Sequence, residues 1–260
     1  MTKSKITAFL VLLLGMNITF FAGAKLVEAG RIYEESNRVY EDLTRQVRKS
    51  QAIDSQVQQI NSEAPYQAKE QIHIPRLDID FEALKEINED AVAWLYSPGT
   101  VIDYPIMKAE DYSYYLNHLP DGSVNPNGSL FIDYNCAPDF SEQLTVIYGH
   151  NMKSGKMFGS LKGYKNQDYY EKHPYMYLYT EQEPFRVELI YGCVIGAGQW
   201  RDRAFMCEEN LDALLAYAAH NTTFESPVKY QDGDRIAALS TCSYEFNDAR
   251  YVVLGILKPA

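Results

Sequence analysis

The sequence predicts a mostly β domain, a largely antiparallel barrel with helical insertions, behind an apolar N-terminal segment. Three observations carry this. From about Gln71 onward the chain breaks into short apolar runs punctuated by Gly, Pro, Asn and Asp, the pattern of strands joined by turns. Helical patterns are few, and few of them are long enough to serve as crossovers between parallel strands. Tyrosine, with 21 copies in 260 residues, favours strands and aromatic-lined grooves over helical bundles.

Strands are expected near residues 72–74, 93–96, 101–106, 129–134, 144–148, 175–180, 185–194, 235–241 and 251–257. The clearest is Tyr175-Met176-Tyr177-Leu178-Tyr179-Thr180, whose alternation puts three tyrosines on one face. Helices are expected near 81–87, 111–117, 157–164 and 208–220. Ahead of them, residues 28–62 are rich in Glu, Arg, Gln and Lys. Their apolar residues Ile32, Val39, Leu43, Val47, Ile53, Val57 and Ile60 mostly fall three, four or seven apart. That stripe reads first as a solvated helix with one sticky side, a stalk, and second as a helix packed on the domain. Pro65 marks a boundary. The expected organisation is 1–27 cytoplasmic tip and membrane anchor, 28–70 helical stalk or linker, and 71–260 catalytic barrel.

Composition excludes several classes. The 24 basic and 35 acidic residues leave a net charge of −11. No Lys/Arg block is present to grip phosphates, so no nucleic-acid partner is expected. The four cysteines show neither CxxC pairing nor histidines at zinc spacing, so no metal is expected. Cys136, Cys193 and Cys207 read as small buried hydrophobes, with a Cys193–Cys207 bridge as the alternative. Residues 6–24 carry no charge, and a helix over them reaches roughly 28 Å, about one hydrocarbon thickness. Lys3 and Lys5 precede the run, which places the N-terminus in the cytoplasm and the remainder outside. Ala22-Gly23-Ala24 would suit a cleaved signal peptide. The length of the run and the immediate Lys25 favour an uncleaved anchor.

The chemistry concentrates at Leu239-Ser240-Thr241-Cys242, with Arg250 eight residues on and His150 in Tyr148-Gly149-His150-Asn151. Each of the three groups lies at the end of an apolar, strand-like run. Ile236-Ala237-Ala238-Leu239 leads into the cysteine, and Tyr251-Val252-Val253-Leu254 follows the arginine, so adjacent strands would set Cys242 and Arg250 side by side. A thiol is nucleophilic as thiolate and needs a cation or base beside it. A guanidinium stays charged and suits an oxyanion. An imidazole can protonate a leaving amine and later deprotonate an incoming one. Singly, each has an ordinary role: a packed thiol, a surface charge, a loop histidine. His173, in Glu171-Lys172-His173-Pro174, competes with His150; His73, His118 and His220 lack a matching partner.

The sequence resembles the class B sortases, membrane-anchored cysteine transpeptidases of Gram-positive bacteria. The resemblance runs through Asn88-Glu89-Asp90-Ala91-Val92-Ala93-Trp94-Leu95, Thr100-Val101-Ile102-Asp103-Tyr104-Pro105-Ile106, Gly128-Ser129-Leu130-Phe131-Ile132-Asp133-Tyr134, Tyr148-Gly149-His150-Asn151-Met152, Met157-Phe158-Gly159-Ser160-Leu161 and Leu239-Ser240-Thr241-Cys242-Ser243-Tyr244-Glu245-Phe246. It implies an eight-stranded barrel with N-terminal helices and an inserted helix, matched by 208–220, before the cysteine-bearing strand. The catalytic cysteine, histidine and arginine of that family fall on Cys242, His150 and Arg250, and its groove positions on Leu116, Tyr148 and Ser240. Ala238 stands where a threonine is common, and Ser243 where some members carry an acid, differences that bear on peptide preference.

The reaction so implied cleaves the C-terminal sorting signal of surface proteins after a threonine. It passes through a thioester on Cys242 and ends on an amine of a cell-wall precursor or another protein. A thioester preserves the reactivity of the acyl group, so no cofactor is required. Two other classes fit less well. A peptidoglycan-directed L,D-transpeptidase would carry Ser-x-Gly-Cys, which Ser240-Thr241-Cys242 lacks, and a non-catalytic binding module would have no use for all three groups.

Overall fold

The computed structural model describes residues 3–48, 77–200 and 211–260, with side chains from residue 15 onward. The strand expected at 72–74, Cys207, His73 and the stalk beyond residue 48 lie outside the described residues.

Eight strands form the domain: β1 (Ala91–Tyr96), β2 (Asp103–Met107), β3 (Leu130–Ile132), β4 (Leu144–Tyr148), β5 (Tyr175–Thr180), β6 (Pro184–Gly196), β7 (Ile236–Cys242) and β8 (Ala249–Pro259). They close a barrel in the order β1-β2-β3-β4-β7-β8-β6-β5, the mostly β architecture the sequence predicts. Only β2 with β3 and β4 with β7 pair in parallel; the other six pairings are antiparallel. Side chains alternate between the two faces of a strand, and β7 shows what each face does. Ala237 and Leu239 join the interior cluster with Leu95, Ile106, Ile147 and Val253. Ile236 and Ala238 face outward and are covered by the helix α4 (Leu211–His220) through Leu214, Leu215 and Ala218. Covered on both faces, six of the seven β7 residues are buried, and the strand reads as a continuous apolar run.

The other outer face is covered by α1 (Lys3–Val47) and α2 (Phe81–Ile87). Asp80 caps α2, its carboxylate accepting from the Ala83 N–H at 3.1 Å, which satisfies one of the donors a helix start leaves open. Leu43 and Val47 of α1 are buried against Leu84, Trp94, Phe131, Tyr177 and Tyr179. The Tyr40 hydroxyl donates to the Gly128 carbonyl at 2.9 Å, and Lys156 reaches Asn37. Arg48 pairs with Asp103, which also accepts the Trp94 indole N–H at 2.7 Å. Residues 36–48 are therefore packed on the barrel, where the sequence favours a solvated helix. Leu43 and Val47, four apart, are enough of a stripe to seat the last turns of α1. Upstream, Met16, Ile18, Phe20, Phe21, Leu26 and Val27 stay exposed.

The chain between the barrel strands supplies two 3-10 turns, Tyr114–Leu116 and Phe158–Lys165, and a short helix α3 (Gln167–Lys172). The first turn falls inside the helical window expected at 111–117, and the second overlaps the one expected at 157–164, running one residue past it. Helix α3, capped by Asn166, is not foreseen, because Gln167-Asp168-Tyr169-Tyr170 carries no apolar period. Among the described residues no helix is long and apolar enough to cross a membrane. Half of the apolar run expected as the anchor, residues 6–14, falls outside the described side chains.

Candidate active site

Strand register builds the site. In the parallel pair, Tyr148 of β4 lies opposite Ser240 of β7, so both strands run out at the same rim. His150 and Cys242 each follow two residues later. In the antiparallel pair, Cys242 lies opposite Arg250 of β8. Residues 92 and 100 positions apart in the chain, counted from His150, thus meet on three neighbouring strands. The rim is then locked by the backbone. The Gly149 N–H donates to the Ser240 carbonyl at 3.2 Å, the Thr241 hydroxyl donates to the Gly149 carbonyl at 2.7 Å, and the Asn151 amide donates to the Cys242 carbonyl at 2.8 Å.

Gly149 is needed for space. A Cβ there would meet Leu130 Cδ2 at 2.4 Å and Phe158 Cδ2 at 2.8 Å. Its backbone is not among those with positive φ, so close packing fixes the residue type.

Cys242 is exposed, while His150 and Arg250 are half-buried. His150 Nε2 lies 2.8 Å from the Leu116 carbonyl. A carbonyl can only accept, so Nε2 is the donor in this contact. Arg250 Nη1 donates to its neighbouring Ala249 carbonyl at 3.1 Å. Among the described residues no hydrogen bond joins the thiol to the imidazole. The other two described thiols differ sharply from Cys242: Cys136 and Cys193 are buried and unbridged. Burial pushes the Cys136 thiol up to about 11 and the Cys193 thiol to about 12, which keeps both protonated and inert.

Two hollows meet at Cys242. The larger, about 520 Å³, runs past His150 and Arg250 and is walled by Tyr112, Leu116, Phe131, Tyr148, Trp200 and Ser240, a size suited to a ligand of several residues or fewer. Leu116, Tyr148 and Ser240, the groove residues expected from sequence, all line it. Tyr112, Phe131 and Trp200 are additions that no local pattern announces. Ser240 Oγ and Trp200 Nε1 are buried there without a partner. The smaller hollow, about 310 Å³, lies against Phe158, Lys162, Lys165, Tyr244, Glu245 and Tyr251. In it Lys165 Nζ donates to Ser243 Oγ at 3.1 Å, pairs with Glu245, and sits 4.9 Å above the Tyr251 ring. Burial alone would raise the Glu245 carboxyl; hydrogen bonds from Lys165 and Ser243 outweigh it and bring it down to about 2.

The rival histidines are placed elsewhere. His173 bonds the Pro98 carbonyl through Nδ1 at 3.0 Å, and His118 stacks on Tyr114 with ring centres 3.9 Å apart. Of the described histidines, His150 alone shares a hollow with Cys242.

No family model matches the chain. The sortase B of Listeria monocytogenes is 33% identical over 178 residues, covering 67% of this chain and 72% of that protein. The chain belongs to the class B sortases. Solved structures agree with this placement. A Bacillus anthracis protein similar to sortase B superposes with a TM-score of 0.69 at 26% identity, over 88% of this chain and 98% of that one. A sortase B complexed with triglycine superposes with a TM-score of 0.64 at 26% identity, over 70% of this chain and 86% of that one. This sortase is accordingly a cysteine transpeptidase, and its closed eight-stranded barrel is that of its relatives.

Proposed function

We propose that Cys242 is the nucleophile, His150 the general acid and base, and Arg250 the stabiliser of the oxyanion. The observation that carries this reading is the strand register, which brings an exposed thiol, an imidazole and a guanidinium to one rim of one cleft. The acyl donor is the C-terminal sorting signal of a surface protein, lying along the larger cleft. Once the Cys242 thiol has passed its proton to His150, the thiolate attacks the carbonyl carbon of the signal's threonine, and the charge that collects on oxygen is balanced by Arg250. The C–N bond then breaks, with His150 delivering its proton to the departing amine, and a thioester remains on Cys242. An amine of a cell-wall precursor or of another protein attacks the thioester, His150 takes its proton, and the thiolate leaves. The triglycine held by a sortase B relative carries the kind of primary amine such a step consumes.

The sortase works at the outer surface of the membrane, anchored by residues 6–24 with its N-terminus in the cytoplasm. The exposed apolar side chains of Ile18, Phe20 and Phe21 on α1, which face no protein, support this. The full chain in detergent, incubated with a panel of sorting-signal peptides and read by mass spectrometry, tests the proposal. An acyl adduct on Cys242 with cleavage after threonine is expected. A folded, reduced protein that cleaves no peptide and forms no adduct sinks it.

A further inference from the structure

Asp133 follows directly on β3 and is fully buried, 0% exposed. A buried carboxylate is costly unless several donors surround it, and here four do. Oδ1 accepts from the Asn135 N–H at 2.9 Å, the Asn135 side-chain amide at 3.1 Å and the Tyr112 hydroxyl at 3.4 Å. Oδ2 accepts from the Tyr148 hydroxyl at 3.1 Å. Two of the four donors therefore belong to rings that wall the cleft at Cys242. The rings differ in what holds their backbones. Tyr148 sits on β4, a strand paired on both sides. Tyr112 sits in an irregular segment just before the Tyr114–Leu116 turn and is 39% exposed. Its ring packs edge-on to Tyr134 at 4.6 Å and lies 6.4 Å from Tyr148. The carboxylate thus ties a loop ring to a strand ring. The Asp133 backbone is itself fixed, its N–H donating to the Val146 carbonyl at 2.9 Å. Burial first, and then the Asp133 charge, push both phenols well above their usual range, so each hydroxyl keeps the proton it donates.

We propose that Asp133 is a positioning residue for the acyl donor: from beneath the cleft its carboxylate joins Tyr112 and Tyr148 into one aromatic wall and so sets peptide affinity without touching peptide or thiol. This rests on reading the larger cleft as the donor site. Cys242, His150 and Arg250 are set by the β4–β7 and β7–β8 register, and among the described residues none of their side chains hydrogen-bonds Asp133, so its loss should appear chiefly in KM. Groups that act through shared partners give non-additive effects, which separates this role from a merely structural one.

The test is a mutant cycle on the full chain. Asp133→Asn keeps the shape and one acceptor oxygen; it raises KM for the sorting peptide about tenfold with kcat within about twofold. In a Tyr112→Phe/Tyr148→Phe background the same change adds less than about twofold, because the hydroxyls it acts through are gone. An unchanged KM, a loss confined to kcat, or the full tenfold effect in the double-Phe background overturns the proposal. Should Asp133→Asn unfold, Tyr112→Phe alone carries the test: KM rises about threefold, and no rise overturns it. NMR of ring-labelled tyrosine reads the clamp with no peptide present. Two ring signals that shift in Asp133→Asn support the clamp even if the wild type acylates with no peptide, an outcome that would fault the reading of the cleft. Ring signals that do not move overturn the clamp.

Discussion

The cleft on the His150 side of Cys242 and the hollow on its Glu245 side are built differently. The first is walled by aromatic rings and leaves Ser240 Oγ and Trp200 Nε1 buried and unpartnered. Each such atom costs about 1–3 kcal/mol in a folded protein. The second sets Lys162, Lys165 and Glu245 among Phe158, Tyr244 and Tyr251, and its Lys165 and Glu245 pair with each other and with Ser243. A buried polar atom without a partner is a hydrogen bond that a ligand completes only once the wall shifts to expose it, whereas a paired cluster holds its own loop in place. The same cysteine therefore has one neighbour that gains by binding and one that is complete without it.

Removing the thiol that the two hollows share has the largest expected effect. Cys242→Ala abolishes both the acyl adduct and the transfer product, a loss of 10³-fold or more in order of magnitude, and any adduct elsewhere on the chain by mass spectrometry would break the assignment. Next comes Gly149→Ala, which drives a methyl into Leu130 and Phe158. Overpacking of this kind costs about 1–3 kcal/mol and lowers the unfolding midpoint, with activity falling because His150 and the Ser240 contact move together. An unshifted midpoint would show that the rim yields.

Ser240→Ala and Lys165→Met then separate the two sides. Ser240→Ala leaves the free protein as stable as before, since it removes an unsatisfied atom, and raises KM for the peptide about tenfold. Lys165→Met leaves that KM unchanged and loosens the loop after Cys242; the ion pair is partly exposed, so the stability loss is within about 1 kcal/mol. Exchange of these two outcomes in steady-state kinetics and thermal melts would invert the comparison. The smallest effect is acid sensitivity. Glu245 titrates near 2 when folded, below the ordinary value of about 4.3. Its contribution is thus complete above about pH 4.3 and is lost as pH falls toward 2. Melts across that window show a decline that Lys165→Met reduces; an identical slope in the variant would dissociate Glu245 from Lys165.

What the sequence discloses follows the range of the interaction. Strand runs such as Tyr175–Thr180 announce themselves because alternation is local, and the neighbouring runs around Cys242 and Arg250 foretell the β7–β8 pairing that places both. The parallel β4–β7 register, which adds His150, spans too much chain for any local pattern, and the resemblance to a family supplies what periodicity does not. The aromatic wall is least legible. Tyr112 comes from a loop, Phe131 from β3 and Trp200 from the chain after β6, and among 21 tyrosines nothing local marks Tyr112. Asp133 looks like one more turn aspartate beside Asn135 until its burial is seen. Helix α1 shows the reverse: its charge-rich sequence favours a solvated helix with one sticky side over a packed one, yet that side docks through Leu43 and Val47.

The order in which the strands enter the barrel has a consequence for how such an enzyme comes into being. β4 is made early, yet both its later partners in the site, β7 and β8, are the last strands in chain order. β8 also pairs along β6 over eleven residue positions. A chain emerging N-terminus first therefore holds His150 in an open sheet, with no thiol beside it and a long free edge on β6. Until β8 arrives the thiol has no guanidinium opposite it, so barrel closure and completion of the site are a single event.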